Sequence, residues 1–160
     1  MSEQLEQLEQ LEKIDKIIDR YVDKEGVLIQ LLLDIQRAIC WIPKEAIKRI
    51  NARLKIPISE IYRVASFYTA LSLKPRGKYL VRVCAGTACY IRGGQRILDA
   101  AESNLEIKAG ETTSDKKFSL ETVNCLGCCA LGPVVEVDGK YYGTPGPKNI
   151  EDLLARKRNE

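Results

Sequence analysis

Apolar residues recur at helical spacing along the first third of the chain. One stripe runs through residues 5–21, and a more continuous apolar segment follows at residues 27–39. The stripe predicts an amphipathic first helix that packs on its own domain or on a partner. The short Gln-Leu-Glu repeat in residues 4–12 would also fit a coiled-coil seam. Polar residues interrupt the second segment, which is too short to span a membrane, so we expect a buried helix there.

Two prolines divide the next part of the chain. Pro43 and Pro57 each stand where a first helical turn would begin. They predict two further helices, over about residues 43–54 and 57–67. Residues 1–75 are therefore predicted to form a helical bundle domain.

The pattern changes after a Lys-Pro-Arg-Gly segment, and residues 76–160 are predicted to form a second domain. Its predicted elements, in chain order, are a strand at 79–83, a helix from about 89 or 90 to 103, a strand at 118–123, a hairpin of 134–137 and 140–142, and a helix from 147 to about 156. The hairpin contains a favoured Asp-Gly turn at Asp138 and Gly139. This order of elements is that of a thioredoxin-like domain, so the predicted fold class is α+β or α/β.

Five of the six cysteines fall in two short groups. Cys84 and Cys89 follow the first predicted strand, and Cys125, Cys128 and Cys129 follow the second. Four thiolates that arrive as two pairs, each pair on one loop, can surround zinc or the irons of an iron–sulfur cluster. Because a reducing cytosol disfavours disulfides, we expect these cysteines to be metal ligands and free core thiols.

Composition narrows the chemistry further. The chain contains no histidine, which excludes a Rieske centre, a mixed Cys/His zinc site and catalysis by imidazole. The net charge is only +3, from 25 basic and 22 acidic residues, so no nucleic-acid-binding surface is expected. The chain also lacks a glycine-rich nucleotide-binding motif and a secretory signal. We therefore expect an intracellular protein that does not itself bind NADH or a flavin and does not insert into a membrane.

Five segments together resemble the E-type subunit of NADH:quinone oxidoreductase, respiratory complex I. They are Ile61-Tyr-Arg-Val-Ala-Ser-Phe-Tyr68, Val81-Arg-Val-Cys84, Gly86-Thr-Ala-Cys89, Gly110-Glu-Thr-Thr113 and Cys125-Leu-Gly-Cys-Cys129. The resemblance covers nearly the whole chain. The family of thioredoxin-like [2Fe–2S] proteins that it indicates also includes small subunits of NAD-linked hydrogenases and formate dehydrogenases.

The resemblance implies an electron-transfer subunit with a helical amino-terminal domain and a carboxy-terminal ferredoxin domain. It implies one [2Fe–2S] cluster, held by Cys84, Cys89, Cys125 and Cys129, that exchanges single electrons with a flavin on a partner chain. FMN, NADH and a [4Fe–4S] cluster are expected only on that partner, which is the F-type flavoprotein subunit in complex I. No activity is expected of the isolated chain. The complex would place it in the cytoplasm, peripheral to the inner membrane.

Cys128 departs from the family pattern, in which a small residue other than cysteine usually occupies this position. Cys125 and Cys128 form a C-x-x-C pair, which also fits a zinc-stabilised interaction domain or a thiol–disulfide oxidoreductase. The simplest interpretation of Cys128 is a packed free thiol, and Cys40 is expected to be a core residue.

The charge of such a cluster gives the neighbouring glycines and arginines a predicted role. A [2Fe–2S] site with four thiolates carries about −2 when oxidised and about −3 when reduced, so N–H groups that point at the sulfurs make reduction easier. Gly86 and Gly127 would let the main chain approach the sulfurs, and a helix after Cys89 would place its positive end nearby. Arg82 and Arg92 flank the first cysteine pair and could offset the negative charge, although an arginine near a strand end is more often solvated.

Overall fold

Two separate apolar cores organise the chain. A computed structural model describes the backbone of residues 2–143 and 146–158 and the side chains of residues 8–143, 146 and 148–158. The chain divides into two units, Met1–Pro75 and Arg76–Glu160. Each unit contains its own cluster of buried apolar side chains.

The described part of the first unit is helical. Its helices are α1 (Ser2–Asp19), α2 (Leu28–Ile39), α3 (Lys44–Leu54) and α4 (Ile58–Phe67). They bury one face each in a shared core, which includes Ile14, Ile18, Leu31, Leu32, Ile35, Ile47, Ile50 and Ile61. A helix follows each of Pro43 and Pro57, as predicted, and both prolines have extended backbone angles just before the first helical residue. The side chain of Leu5, which belongs to the predicted first stripe, lies outside the described residues.

Cys40 is a helix cap rather than a core residue. Its backbone is left-handed, with φ of 70°, and its amide donates a 2.7 Å hydrogen bond to the carbonyl of Gln36 at the end of α2. The left-handed conformation ends the helix and leaves the Cys40 side chain only half-buried. The expectation that Cys40 is a core residue is therefore wrong.

The second unit contains a four-stranded sheet and three helices among its described residues. Its elements, in chain order, are β1 (Tyr79–Cys84), α5 (Thr87–Ile91), α6 (Gly94–Leu105), β2 (Phe118–Val123), β3 (Val134–Val137), β4 (Lys140–Gly143) and α7 (Pro147–Arg158). The strand order is β2-β1-β3-β4. β1 pairs in parallel with β2 and antiparallel with β3, and β3 forms a hairpin with β4. The predicted strands are all present, and the turn residues Asp138 and Gly139 both have the positive φ that an Asp-Gly hairpin needs.

Alternation along the central strand places one face of the sheet in the core. Tyr79, Val81 and Val83 of β1 are buried and share a cluster with Ile97 of α6 and Ile150 of α7. The core thereby fixes β1, whose last residue is Cys84.

One predicted helix is two helices in the structure. The prediction of a single helix from residue 89 or 90 to 103 is wrong, because α5 ends at Ile91 and α6 begins at Gly94. Gly93 lies between them with φ of 95°, a conformation that only glycine adopts without strain and that no α-helix contains. Cys89 therefore belongs to a short helix of its own rather than to the start of a long one.

Among the described residues, no helix is both long enough and apolar enough to cross a membrane.

Candidate metal centre

The sheet brings the two cysteine groups to one end of the second unit. Because β1 and β2 are parallel, their carboxyl ends lie side by side, and Cys84 pairs with Val123 in the register. The amide of Ala85 continues the pairing with a 2.8 Å hydrogen bond to the Val123 carbonyl. Cys125 follows two residues after β2 ends. The prediction that strands deliver both groups is thus confirmed.

The first cysteine pair is buried. Cys84 is 3% exposed and Cys89 is 2% exposed, and both pack with Val134 in a small apolar cluster that Leu126 and Cys128 partly cover. Cys89 lies inside α5, which begins at Thr87. The predicted start of the following helix at residue 89 or 90 is therefore wrong. The helix that does follow Cys89, α6, begins at Gly94, where a Cβ atom would lie 2.9 Å from the Cys89 carbonyl oxygen and 3.2 Å from the Cys84 carbonyl oxygen, so its amino-terminal end lies beside both residues as predicted.

Hydrogen bonds favour the thiolate form of Cys84. Burial raises the pKa of the Cys84 thiol, but hydrogen bonds from the Gly86 and Leu126 amides and from the Cys89 thiol outweigh burial and leave this pKa below its ordinary value. Leu126 belongs to the second cysteine loop. Its amide therefore links the two loops through a sulfur atom.

Cys89 has the opposite tendency. Burial raises the pKa of the Cys89 thiol most, followed by its hydrogen bond to Cys84, and the negative charges of Cys84 and Cys129 raise it further. Only the Val134 amide lowers this pKa, by donating to the sulfur. Three thiols from both loops, Cys84, Cys89 and Cys129, are thus close enough for the charge of one to affect the pKa of another.

The second cysteine pair is exposed. Cys125 and Cys129 are both open to solvent, and the loop that carries them contains only a single 3-10 turn, Cys129–Leu131. The Gly127 amide donates a 3.3 Å hydrogen bond to the sulfur of Cys125. Gly127 has φ of 77°, which only glycine adopts easily, so this residue allows the main chain to curl back toward the sulfur. Gly86 and Gly127 therefore donate to cysteine sulfurs, as predicted.

Two glycines allow the cysteine loops to approach one another. A Cβ atom at Gly86 would lie 2.8 Å from the carbonyl oxygen of Asn124 and 3.5 Å from the sulfur of Cys84. A Cβ atom at Gly132 would lie 3.2 Å from the sulfur of Cys89. Side chains at these positions would enter the space around the sulfurs. Glycine at both positions leaves that space open.

The two flanking arginines have different surroundings. Arg82 forms ion pairs with Glu136 at 3.0 Å and with Glu121 at 3.7 Å on the sheet, so its charge is already compensated. Arg92 instead reaches the second cysteine loop, where its guanidinium donates to the carbonyl of Cys129 at 3.0 Å.

Cys128 lies beside the other thiols without sharing their amide donors. It is half-buried and its thiol donates a long hydrogen bond, 3.6 Å, to the carbonyl of Leu126. All six cysteines lie among the described residues, and they carry thiols rather than disulfides.

The cysteines lie in two pairs rather than in one compact group. No three cysteine or acidic side chains in the described part of the chain lie where they could hold one metal ion. A zinc site needs four ligands around one ion, whereas each iron of a [2Fe–2S] cluster takes only two thiolates from the protein. Two adjoining cysteine pairs, each on one loop, match the two thiolates per iron that a two-iron group takes.

The sequence matches a protein family described as "Thioredoxin-like [2Fe-2S] ferredoxin" over residues 14–158. This chain belongs to that family. The match confirms the predicted resemblance and the mixed helix-and-strand fold class with a thioredoxin-like ferredoxin fold. A [2Fe–2S] cluster is the cofactor that the family name states.

Similar proteins of the family are subunits of oxidoreductases. The NADP-reducing hydrogenase subunit HndA of Solidesulfovibrio fructosivorans is 36% identical over 138 residues, which cover 86% of this chain and 81% of the relative. The E-type subunit of NADH-quinone oxidoreductase from Rickettsia bellii is 39% identical over 120 residues, which cover 75% of this chain and 72% of the relative. Its counterpart from Rickettsia prowazekii is also 39% identical, and the match covers 68% of it.

A solved structure shares the fold. The crystal structure of an NAD+-reducing [NiFe]-hydrogenase in the air-oxidised state superposes with a TM-score of 0.71 at 18% sequence identity. The match covers 83% of this chain but only 23% of the hydrogenase chain. It therefore shows the fold of this chain within a much longer protein.

Several contacts around the cysteine loops were not predicted from the sequence. They are the amides of Leu126 and Val134 at the buried sulfurs, the close approach of Gly132 to Cys89, and the hydrogen bond from Arg92 to the Cys129 carbonyl. The glycine two residues before Val134 was the one visible signal, because a glycine next to a cysteine group often marks a close approach of the backbone.

Proposed function

We propose that this chain is an electron-transfer subunit of an NAD(P)-linked oxidoreductase complex. It would carry one [2Fe–2S] cluster on Cys84, Cys89, Cys125 and Cys129. The observation that carries the proposal is the meeting of a buried and an exposed cysteine pair at one end of the sheet, with amide donors at the sulfurs of both pairs.

The surrounding residues suit thiolates whose negative charge increases on reduction. A bound [2Fe–2S] cluster supplies reversible one-electron transfer. The amides of Gly86, Leu126 and Val134 donate to the buried sulfurs, and that of Gly127 donates to an exposed one. These donors stabilise negative charge on sulfur and thereby favour the reduced state. The small apolar cluster around Cys84 and Cys89 excludes water from one side of the site.

The exposed pair gives electrons a route to a partner. Cys125 and Cys129 lie at the surface, so a redox group on another chain could approach this side of the site closely. We infer that the partner is a flavoprotein, the F-type subunit in complex I, and that FMN, NADH and a [4Fe–4S] cluster reside there. No substrate bond would be made or broken in this chain, and the isolated chain would be inactive.

The relatives support two assemblies. The likeness to the E-type subunits of NADH-quinone oxidoreductase supports a place in the NADH-oxidising module of complex I, peripheral to the inner membrane in the cytoplasm. The likeness to HndA supports the equivalent place in an NAD(P)-linked hydrogenase. A formate dehydrogenase subunit would have the same design.

The domain organisation is part of the proposal. We infer a helical bundle domain over residues 1–75 and a thioredoxin-like [2Fe–2S] domain over residues 76–160. The separate cores of the two units support this division.

Two functions of other classes are less well supported. A zinc-stabilised domain would place four ligands around one ion, whereas the cysteines here lie in two pairs, one buried and one exposed. A thiol–disulfide oxidoreductase would need its attacking sulfur exposed at the start of a helix. Cys125 instead precedes a loop with a single 3-10 turn, and the Cys128 thiol is directed at the Leu126 carbonyl.

An electron paramagnetic resonance spectrum of the full chain, purified without oxygen and reduced with dithionite, tests the proposal. We expect an S = ½ signal with about two irons and two sulfides per chain. Iron, sulfide and zinc are measured on the same sample, and Cys40→Ala serves as a control that should keep the signal. A silent sample with one zinc per chain would contradict the proposal in favour of a structural zinc site. A metal-free sample would contradict it in favour of a thiol–disulfide oxidoreductase that uses Cys125 and Cys128.

A further inference from the structure

We propose that Arg92 is a positioning residue that holds the exposed cysteine loop against the buried one and makes reduction of the site easier. This inference rests on the proposed function, because it assigns Arg92 a role toward the [2Fe–2S] cluster. It concerns a side chain that is not itself a ligand.

Arg92 stands where it can reach both loops. It is the first residue after α5, three positions beyond Cys89. Its guanidinium donates from one nitrogen to the carbonyl of Cys129 at 3.0 Å and to the carbonyl of Gly132 at 3.5 Å. The side chain thus bridges two segments that are separated by the whole of α6 and β2.

The bridged carbonyl belongs to an exposed ligand. The Cys129 carbonyl accepts a second hydrogen bond from the Gly132 amide at 3.2 Å, which closes the 3-10 turn. Fixing this carbonyl fixes the main chain of Cys129 and hence the direction of its side chain. Because the loop has no longer helix or strand of its own, Arg92 supplies a restraint that the local backbone lacks.

The charge of Arg92 is available to the site. Arg82 is paired with Glu121 and Glu136, but no ion pair of Arg92 occurs within the described ranges 2–143 and 146–158. A Cβ atom at Gly132 would lie 3.2 Å from the Cys89 sulfur and 3.7 Å from the Arg92 guanidinium, so both groups flank the same position. A cation this close to a thiolate stabilises the extra negative charge of the reduced state. Arg92 therefore has two proposed effects: it restrains Cys129, and it raises the midpoint potential of the cluster.

Three variants of the full chain separate these effects. Arg92→Gln removes the charge and shortens the side chain. Arg92→Lys keeps the charge but replaces the rigid, planar guanidinium with a compact ammonium on a flexible stem, which fixes the orientation of the donor less well. Arg96→Gln is the matched control. It also removes one positive charge from an exposed arginine, but Arg96 lies in α6, four residues after Arg92 and further from Cys84 and Cys89 in the sequence.

The measurements are the midpoint potential by redox titration and the rate of iron release to a chelator. We expect Arg92→Gln to have a lower midpoint potential and to release iron about tenfold faster, the effect typical of residues that orient metal ligands. Arg92→Lys should keep the potential near that of the unmodified chain while it releases iron faster. Arg96→Gln should match the unmodified chain in both measurements.

The outcomes that overturn the inference are equally specific. Arg92→Gln with an unchanged potential and unchanged iron release would overturn it, and so would equal effects of Arg96→Gln, which would indicate a general effect of charge. Urea unfolding of the metal-free variants separates positioning from folding. A large loss of stability in metal-free Arg92→Gln would make faster iron release a folding effect and also overturn the inference. Absence of a [2Fe–2S] signal in the unmodified chain would instead refute the proposed function.

Discussion

The two cysteine loops differ in how the protein holds their thiols. The first loop leaves the central strand β1 and enters α5, and both of its thiols are at most 3% exposed. The second loop leaves the edge strand β2, contains only a 3-10 turn, and exposes Cys125 and Cys129. The core therefore places the first pair, whereas hydrogen bonds from Gly127 and Arg92 place the second.

This difference suits a site that must be both stable and accessible. A buried pair has a fixed geometry, because packed side chains have little freedom to move. Its burial also keeps water from one side of the site. An exposed pair lets a redox partner approach the other side. The two halves of the proposed ligand set are thus held by different interactions, and substitutions in them should have different effects.

The largest difference is expected when one ligand of each loop is replaced by alanine. Cys84→Ala and Cys125→Ala should both lose the [2Fe–2S] cluster, because each removes a thiolate. In the metal-free chain, Cys84→Ala should also lower the free energy of unfolding by about 1–3 kcal/mol, because the Gly86 and Leu126 amides lose their buried acceptor. Cys125→Ala should change it by no more than about 0.5 kcal/mol, as exposed substitutions do.

Iron content and urea unfolding of the metal-free chains, followed by circular dichroism, measure these two effects. Loss of iron in both variants is the internal control for ligand removal. Equal stability of the two metal-free variants would contradict the proposed difference between the loops, because the core would then contribute nothing to the placement of the first pair.

Local sequence patterns were enough to predict the strands and the positions of the cysteines. The alternation in β1 and β2 is a local property, and the parallel pairing then brings Cys84 and Cys125 to the same edge. The amide donors at Gly86 and Gly127 were predictable for the same reason, since each lies within two residues of the cysteine it serves.

Contacts between distant segments were not predictable in this way. The hydrogen bond from Arg92 to Cys129 and the approach of Gly132 to Cys89 depend on how two loops meet after the sheet has formed. The break between α5 and α6 was missed for a different reason. Gly93 and Gly94 are adjacent glycines in a pattern that otherwise continues as a helix, and only the positive φ of Gly93 shows that the helix ends there.

A smaller contrast is expected between the glycines of the two loops. Gly86→Ala would place a Cβ atom 2.8 Å from the Asn124 carbonyl oxygen, an overlap of backbone with side chain that must force the loops apart. Gly127→Ala would meet nothing within 4 Å and would only disfavour φ of 77°, at a cost of about 1–2 kcal/mol. We expect Gly86→Ala to lose most of its cluster and Gly127→Ala to keep it with a lower midpoint potential.

Iron per chain and redox titration of both variants test this contrast. Gly110→Ala is a suitable control for Gly127→Ala, because Gly110 also has positive φ with nothing within 4 Å but lies away from both cysteine loops in the sequence. A Gly86→Ala variant that retains full iron would show that the loops do not need their close approach.

The smallest effect is expected at Cys128, the half-buried thiol of the second loop. Cys128→Ala removes a half-buried thiol whose hydrogen bond to Leu126 is 3.6 Å long, so the free energy of unfolding should change by less than about 1 kcal/mol. Iron content and the paramagnetic resonance spectrum should match those of the unmodified chain, whereas Cys129→Ala should lose the cluster. The reverse result, with the cluster lost in Cys128→Ala and kept in Cys129→Ala, would make Cys128 the fourth ligand. The exposed loop would then hold its irons through one exposed and one half-buried thiol, and the contrast with the buried loop would be weaker than we propose.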